Sequence, residues 1–304
     1  MSGSLNEIKK KIKATKNTRK ITKAMQLVAA SKMRKFQKKA ISSRGFAWEL
    51  LNILKRGFDE NTDMSLCEQR ESGKTVFVLY TSDKGLCGAL NSRLIKGLFQ
   101  SGLWMNTPAE DRILVTIGKK SMDYAKYNNI PIDQSFNGVN EDMSSLEALD
   151  LIDAILEYWD KKKVKQIVMA APHYKNSLVF YPVVKTFLPF GLEMIDEHLN
   201  AEALAEGLDS VTEKDEEEDF EPPMIYEPSE AEFQEELVLQ IVHALFVQSF
   251  LELKAAEYSS RMIAMQNATD AAGDIIHRLT LQFNKARQAA ITQEIAELVS
   301  GSMA

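Results

Sequence analysis

The sequence predicts an α/β domain inserted between the two halves of a long antiparallel two-helix coiled coil. Two long segments with apolar residues at helical spacing occupy the two ends of the chain. Between them, short apolar runs alternate with amphipathic segments, the pattern of a mostly parallel sheet with helices. We therefore expect an N-terminal helix over 1–60, an α/β domain over 74–195, an acidic linker over 196–228 and a C-terminal helix over 229–304.

The first segment has the pattern of one uninterrupted helix. It runs from Leu5 to about Phe58 without a proline, and its apolar residues recur every three or four positions. The clearest members of this stripe are Phe36, Ala40, Ser43, Ala47, Leu50, Leu54 and Phe58. At 1.5 Å per residue the helix is about 80 Å long, far above the average for globular proteins.

The middle block changes from helical to strand periodicity. Buried-strand runs are predicted at Thr75–Tyr80, Arg112–Ile117 and Gln166–Ala171. Helices are predicted between them at Asn91–Gln100, Lys119–Asn128 and Ser144–Lys162. Leu178–Leu188 adds one strand or a hairpin, and Pro182 favours an edge position for it.

The last segment has the most regular periodicity. It begins with Ser229 and Glu232, which form a capping-box pattern, and it contains no proline through Val299. Its stripe steps by four and three through Leu237, Ile241, Ala244, Gln248, Leu251, Ala255, Tyr258, Met262, Met265, Thr269, Ala272, Ile276, Leu279, Phe283, Ala286 and Ala290. An average repeat of 3.5 residues predicts a left-handed coiled coil. A helix of about 105 Å needs a partner of similar length, and the N-terminal helix is the candidate.

Composition places the chain among ordinary water-soluble proteins, with 45% hydrophobic and 26% charged residues among 304. No run approaches the roughly 20 apolar residues of a transmembrane helix, and the N-terminus has no signal-peptide or transit-peptide pattern. Cys67 and Cys87 are too few and too far apart for a disulfide framework or a zinc site, which fits a reducing cytoplasm.

Charge is distributed unevenly along the chain, although the net charge is only −6. Residues 1–48 contain fourteen Lys or Arg and one acid, whereas residues 196–236 contain seventeen acids and one base. A basic helix is compatible with binding to nucleic acid, to anionic lipid or to acidic protein surfaces. Charge alone does not separate these three possibilities.

The sequence contains almost no signal for catalysis. The SGKT in Arg70–Thr75 lacks the first glycine of a phosphate-binding loop and precedes its strand instead of following it. The turn Ser82–Gly88 follows a strand but lacks the dinucleotide-binding glycine pattern. The four histidines show no metal-ligand spacing. We therefore predict no catalytic residue, no cofactor site and no metal site.

Three segments nevertheless closely resemble signature segments of one family, the gamma subunits of F-type ATP synthases. They are NTRKITKAMQLVAASKMR at 17–34, TSDKGLCGALN at 81–91 and NKARQAAITQEIAELVSG at 284–301, and EYSSRMIAMQNATDA at 257–271 is similar to a fourth. The resemblance extends over essentially the whole chain. It implies a coiled coil around a Rossmann-like domain, and it implies a central rotor shaft that couples ion-driven c-ring rotation to conformational changes of the catalytic beta subunits.

The same resemblance implies partners and contact residues. The partners are three alpha and three beta subunits for each gamma, the epsilon subunit and the c ring, at the cytoplasmic face of a bacterial inner membrane. The beta-subunit contacts would be Met25, Arg261, Gln288, Thr292 and Glu294. A basic shaft face would complement acidic beta segments, which favours docking over nucleic-acid binding, and its members are Lys20, Lys23, Lys32, Arg34 and Lys35. Tyr226 and Glu227 match the part that contacts the c ring.

Two rival functions follow from the residues alone. A coiled-coil adaptor or nucleic-acid-binding protein would use the basic N-terminal helix and would bind DNA or RNA in a salt-sensitive way. A Rossmann-type enzyme with helical arms would need a cofactor loop that the sequence lacks. The acidic loop 200–223 is longer than we expect of short family members and contains no cysteine pair.

Overall fold

The computed structural model describes residues 2–57, 64–139, 145–161, 164–191, 226–227 and 229–302. Most of the predicted acidic linker, including the loop 200–223, lies outside these residues. The elements in chain order are α1 (Ser2–Gly57), β1 (Thr75–Tyr80), α2 (Leu90–Phe99), α3 (Gly102–Asn106), β2 (Arg112–Ile117), α4 (Lys119–Tyr127), β3 (Gln134–Phe136), α5 (Ser145–Lys161), β4 (Gln166–Tyr174), β5 (Phe180–Leu188) and α6 (Glu230–Ser302).

Helices α1 and α6 pack along each other in opposite directions. The side chain of Gln26 is hydrogen-bonded to that of Gln266. The hydroxyl of Thr269 donates to that of Thr22 at 2.8 Å, and Arg44 pairs with Glu252. The residue numbers of these partners therefore fall along α6 as they rise along α1. The predicted antiparallel coil of the two chain ends is confirmed.

The buried side of α1 follows the predicted stripe except at Ser43, which is only half-buried, and at Leu50. Its fully buried members are Ala29, Met33, Phe36, Ala40, Ala47, Leu51 and Leu54. Leu50 was predicted in the stripe, but Leu51 is buried there and Leu50 is only half-buried. The predicted stripe continues from Ala47 by three and then four residues. The helix instead buries the residue four positions after Ala47, which is Leu51, and then Leu54, three positions further on. Phe58 lies outside the described residues.

Helix α6 begins at the predicted cap, where the Glu232 N–H donates to Ser229 Oγ at 3.3 Å. Apart from the half-buried Leu251 and Met262, its stripe is buried as far as Ala272. Beyond Ala272 the stripe is only half-buried, and every side chain from Ile291 to Ser302 is exposed. One stretch of α6 is long and apolar enough to cross a membrane by length and composition, but 61% of it is buried inside the chain. That burial is typical of a core helix.

The strands of the described residues form one five-stranded sheet in the order β3-β2-β1-β4-β5. Strands β3, β2, β1 and β4 are parallel neighbours, and β5 runs antiparallel to β4 as a single edge strand that contains Pro182. The edge position predicted for Pro182 is confirmed. Strand β3 was not predicted, because three half-buried residues are too few to show a pattern.

The two faces of the sheet have different partners. On one face, alternate residues such as Val76, Val78 and Tyr80 join a cluster with α1, α5 and α6. On the other face, Phe77 and Leu79 join a smaller cluster with α2, α3 and the α4 residue Ala125. The sheet is therefore covered on both sides, and the coiled coil lies along one of them.

Candidate functional site: the shaft surface and its contacts with the sheet

The carboxyl ends of β1 and β4 form the position where the strand order reverses. The chain proceeds from β1 to β2 and β3 on one side and then returns to place β4 on the other side of β1. Doubly wound sheets bind their ligands in the crevice outside such ends. Here α6 occupies this crevice, since its Glu252 accepts a hydrogen bond from Tyr174 at the end of β4 and its Arg261 donates to Gly85 after β1.

One buried carboxylate, Glu252, joins α6 to both α1 and the sheet. Its Oε1 accepts hydrogen bonds from Arg44 Nη2 at 3.0 Å and from Gln248 Nε2 at 3.1 Å. Its Oε2 accepts from the Tyr174 N–H at 2.9 Å and lies 3.2 Å from His173 Nδ1. Arg44 also donates to the Tyr174 carbonyl at 2.7 Å. These five residues are called the Glu252 cluster below.

The partners of Glu252 keep it ionised despite its burial. Burial by itself raises the pKa of this carboxyl, because it removes water from the charged form. The hydrogen bond with His173, the charge of Arg44 and the hydrogen bond from the Tyr174 N–H act in the opposite direction and lower the pKa of Glu252 to about 2. The group is therefore a fixed negative charge at neutral pH.

A second charged group lies further along α6. Arg261 Nη2 lies 2.7 Å from Glu257 Oε1, and Lys254 Nζ lies 3.6 Å from Glu257 Oε2. The same Arg261 nitrogen donates to the Gly85 carbonyl at 3.1 Å. Lys254, Glu257 and Arg261 are all buried and are called the Glu257 cluster below. Arg261 was predicted to contact the beta subunit, and the structure places it 8% exposed against the chain's own turn after β1.

The segment 81–91 shapes that turn. The Asn91 side chain accepts from the Ser82 N–H at 3.0 Å and donates to Ser82 Oγ at 2.8 Å, which closes the turn between strand and helix. Leu86 and Gly88 have φ of 61° and 58°, and a Cβ on Gly88 would lie 3.9 Å from the Ser260 carbonyl of α6. Glycine adopts this left-handed conformation at position 88 without the steric cost that a side chain carries. The turn thus presents the Gly85 carbonyl to Arg261.

Cys87 lies in the same turn and has the environment of a structural thiol. It is 3% exposed. Burial raises its pKa, although a hydrogen bond with Ser82 and the charge of Arg261 partly oppose this. A raised pKa disfavours the thiolate, which is the reactive form of cysteine.

The residues of the predicted basic face lie outside the buried stripe of α1. Lys20, Lys23, Arg34 and Lys35 are exposed, whereas Lys32 is half-buried with its Nζ 5.4 Å from the centre of the Tyr258 ring. Exposed apolar side chains lie on the same stretch of helix, since Leu27 is 61% exposed. The structure therefore presents both charge and apolar surface along this side of the shaft.

The other predicted beta-subunit contacts are spread along the rod. Gln288, Thr292 and Glu294 are exposed near the end of α6, and Thr292 Oγ1 donates to the Gln288 carbonyl within the helix. Met25 on α1 is half-buried. Arg261 and Glu294 are 33 positions apart, about 50 Å of helix. The structure does not bring these residues together into one site.

The residues predicted to contact the c ring lie before the start of α6. The Tyr226 ring packs at 5.3 Å, centre to centre, against the ring of Phe233 in the first turns of α6. Glu227 is exposed. This pair therefore lies at the opposite end of α6 from the exposed tip.

Sequence reasoning did not identify the Glu252 cluster. A usable signal was present, because Glu252 stands in the apolar run LVLQIVHALFVQSFLELKAA, where an ionised residue needs a partner. Nothing in the sequence says that the partners are Arg44 and the end of β4, which lie 208 and 78 positions away.

Comparison with known proteins gives consistent matches over the whole chain. The ATP synthase family model matches residues 4–304. The ATP synthase gamma chain of Pelotomaculum thermopropionicum is 34% identical over 303 residues, covering 99% of each chain. That of Synechococcus sp. strain RCC307 is 34% identical over 311 residues, again covering 99% of each.

Two solved structures share the fold at low sequence identity. A chain of the Euglena gracilis mitochondrial ATP synthase, solved as an OSCP/F1/c-ring assembly, has a TM-score of 0.63 at 17% identity, covering 100% of this chain and 94% of that one. A chain of the Tetrahymena thermophila mitochondrial ATP synthase central stalk and c ring has a TM-score of 0.56 at 22% identity, covering 82% and 99%.

Proposed function

The chain belongs to the family of ATP synthase gamma chains, and we propose that it is the central rotor shaft of an F-type ATP synthase. In this role it couples ion-driven rotation of the c ring to the sequential conformational changes of the catalytic beta subunits. The observation that carries the proposal is the coiled coil of α1 and α6, which continues well past the last buried residue of α6, Ala272.

The part of α6 beyond Ala272 has the exposed apolar surface expected of a shaft that partner subunits enclose. Residues 273–302 include no fully buried side chain and form about 45 Å of helix. Apolar side chains are exposed near its end, since Ile295 is 56% and Leu298 74% exposed. Exposed apolar surface of this kind is typical of interaction sites. A sleeve of alpha and beta subunits around the tip would cover it.

The chain supplies rotation and not chemistry in this proposal. The crevice where a doubly wound sheet binds a ligand is filled by α6 through Glu252 and Arg261. Nucleotide binding and ATP hydrolysis then belong to the beta subunits.

We assign the finer partner contacts as part of this proposal. One gamma chain stands among three alpha and three beta subunits, with epsilon alongside and the c ring at Tyr226 and Glu227, on the cytoplasmic face of a bacterial inner membrane. Gln288, Thr292 and Glu294 are exposed for contact with beta loops, and the basic face complements acidic beta segments. Met25 and Arg261 are predicted beta contacts as well, and for Arg261 that contact would add to its internal ones.

Reconstitution tests the proposal directly. The purified chain is mixed with separately purified alpha and beta subunits, and complex composition and ATPase turnover are measured. We expect one copy for every three beta subunits and a higher turnover than without the chain. A chain that stays outside the complex and instead binds DNA with a steep salt dependence would support the adaptor or nucleic-acid alternative.

A further inference from the structure

We propose that the Glu252 cluster and the Glu257 cluster hold the sheet domain at one position along and around α6, so that domain and shaft turn as one body. This inference rests on the proposed rotor function, because it concerns how the domain follows the rotation of the shaft. It assigns a positioning role to buried charged residues at the crevice where other doubly wound sheets bind ligands.

Helix α6 is enclosed on all sides where it crosses this crevice. Every side chain from Glu252 to Ser259 is buried, although a helix lying on one surface buries only a stripe. The domain is contacted by Glu252 and by Arg261, which lie nine positions apart and therefore, at about 100° per residue, on opposite sides of α6. The two clusters thus contact the domain from different sides of the helix, which opposes rotation of the helix about its own axis.

The two clusters are also separated along the helix. Glu252 contacts the end of β4 and Arg261 contacts the turn after β1, and these residues are nine positions, or about 14 Å, apart. Glu252 additionally pairs with Arg44 of α1. These contacts, made at two positions along α6 with β4, with the turn after β1 and with α1, oppose sliding of the domain along the shaft.

Apolar packing alone would define the position of the sheet domain on α6 less sharply. The Phe246 and Phe250 rings of α6 lie 6.0 and 6.1 Å from the Tyr80 ring of β1. Such contacts are non-directional, so a small shift of the helix retains much of the buried area. A shift that separates Glu252 from its partners leaves a buried charge without compensation, which is far more costly.

The test compares coupling in the complete membrane-bound complex carrying variant gamma chains. Glu252→Gln removes the charge, and the double variant Arg44→Met with Glu252→Met replaces the pair by apolar side chains of similar volume. Glu235→Gln, an exposed site on the same helix, is the matched control. The readout is the initial rate of ion uptake divided by the rate of ATP hydrolysis, measured well below the melting temperature of each variant.

We expect both cluster variants to hydrolyse ATP within about twofold of the wild-type rate and to lose at least half of the uptake-to-hydrolysis ratio. The control keeps the wild-type ratio. A merely structural role would lower the melting temperature without changing the ratio, so an unchanged ratio in an assembled cluster variant overturns the inference. If the wild-type chain itself neither assembles nor couples, the proposed rotor function is what fails.

A second measurement covers the case in which neither cluster variant assembles. Hydrogen exchange at the Tyr174 amide, which donates to Glu252, is followed in the isolated wild-type chain and in Arg44→Met, which keeps this acceptor. Release of the domain from the shaft predicts at least tenfold faster exchange at Tyr174 in Arg44→Met, relative to the Thr81 amide, which donates to Ile117 within the sheet. An unchanged exchange ratio of these two amides in folded Arg44→Met contradicts the inference.

Discussion

The guanidinium of Arg44 on α1 lies 3.0 Å from the carboxylate of Glu252 on α6, although 208 positions separate the two residues in the chain. Both side chains are largely buried, with 13% and 6% of their surfaces exposed. The same carboxylate accepts a hydrogen bond from the sheet through the Tyr174 N–H. At this contact the two halves of the coil and the inserted domain therefore meet.

Removal of one member of this pair is expected to destabilise the chain strongly. Arg44→Met leaves the buried Glu252 without its charged partner on α1, and a broken buried pair costs about 3–5 kcal/mol. Urea unfolding followed by circular dichroism measures the change. Lys38→Met, at an exposed position on the same helix, is the control and should change the free energy of unfolding by less than about 0.5 kcal/mol. Equal effects of the two variants would show that the pair contributes little.

The stability should also depend on pH through Glu252. Its pKa is about 2 in the folded chain and about 4.5 when unfolded, so the unfolded state binds the proton more readily. The stabilisation is fully present above about pH 4.5 and is lost as the pH falls toward 2. We expect Glu252→Gln to lose less stability than wild type between pH 5 and pH 2.5, measured by urea unfolding. Parallel pH profiles for the two proteins would contradict the assignment.

Gly118 is predicted to tolerate no side chain. It follows β2 with φ of 93° and ψ of 143°, a region essentially restricted to glycine, and a Cβ would lie 2.1 Å from the Thr81 carbonyl oxygen. Gly118→Ala should lower the free energy of unfolding by about 3 kcal/mol or more, because backbone strain and a steric clash add together. Gly138→Ala is the control, because its φ is 71° but no atom lies within 4 Å of the added Cβ. That change should cost only about 1–2 kcal/mol.

Gly45 is predicted to be a site where alanine stabilises the chain. It lies in the middle of α1, is exposed, and has no atom within 4 Å of an added Cβ. Glycine in a helix interior is less stable than alanine by roughly 0.5–1 kcal/mol. Gly45→Ala should raise the free energy of unfolding by that amount. A loss of stability in thermal and urea unfolding would indicate that α1 needs to bend there.

The last residues of α6, 299–302, are predicted to act as part of a bearing and to make no specific bond there. Residues 291–302 are exposed within the chain, and Ile291, Leu298 and Val299 present apolar surface to the expected sleeve. Deletion of residues 299–304 should leave ATP hydrolysis by the assembled complex largely intact, because shape and helicity persist up to the cut. Complete loss of hydrolysis in a complex of normal composition would count against the bearing.

The sequence by itself determined those parts of the fold that depend on local periodicity. The four-three repeat from Leu237 to Ala290 predicted α6 and its partner, and the capping pattern at Ser229 predicted where it begins. The apolar run Thr75–Tyr80 predicted β1. These features could be predicted because neighbours in the chain decide them.

Only the tertiary structure decided which distant groups become the hydrogen-bonding and charged partners of each buried charge. Glu252 and Arg261 belong to the local pattern of one helix, but their partners come from α1, from the end of β4 and from the turn after β1. Strand β3 likewise forms because β2 offers it an edge, since its own three residues show no pattern. The physical reason is that a buried charge or a short strand is stabilised by non-local contacts, and no periodicity within the chain records them.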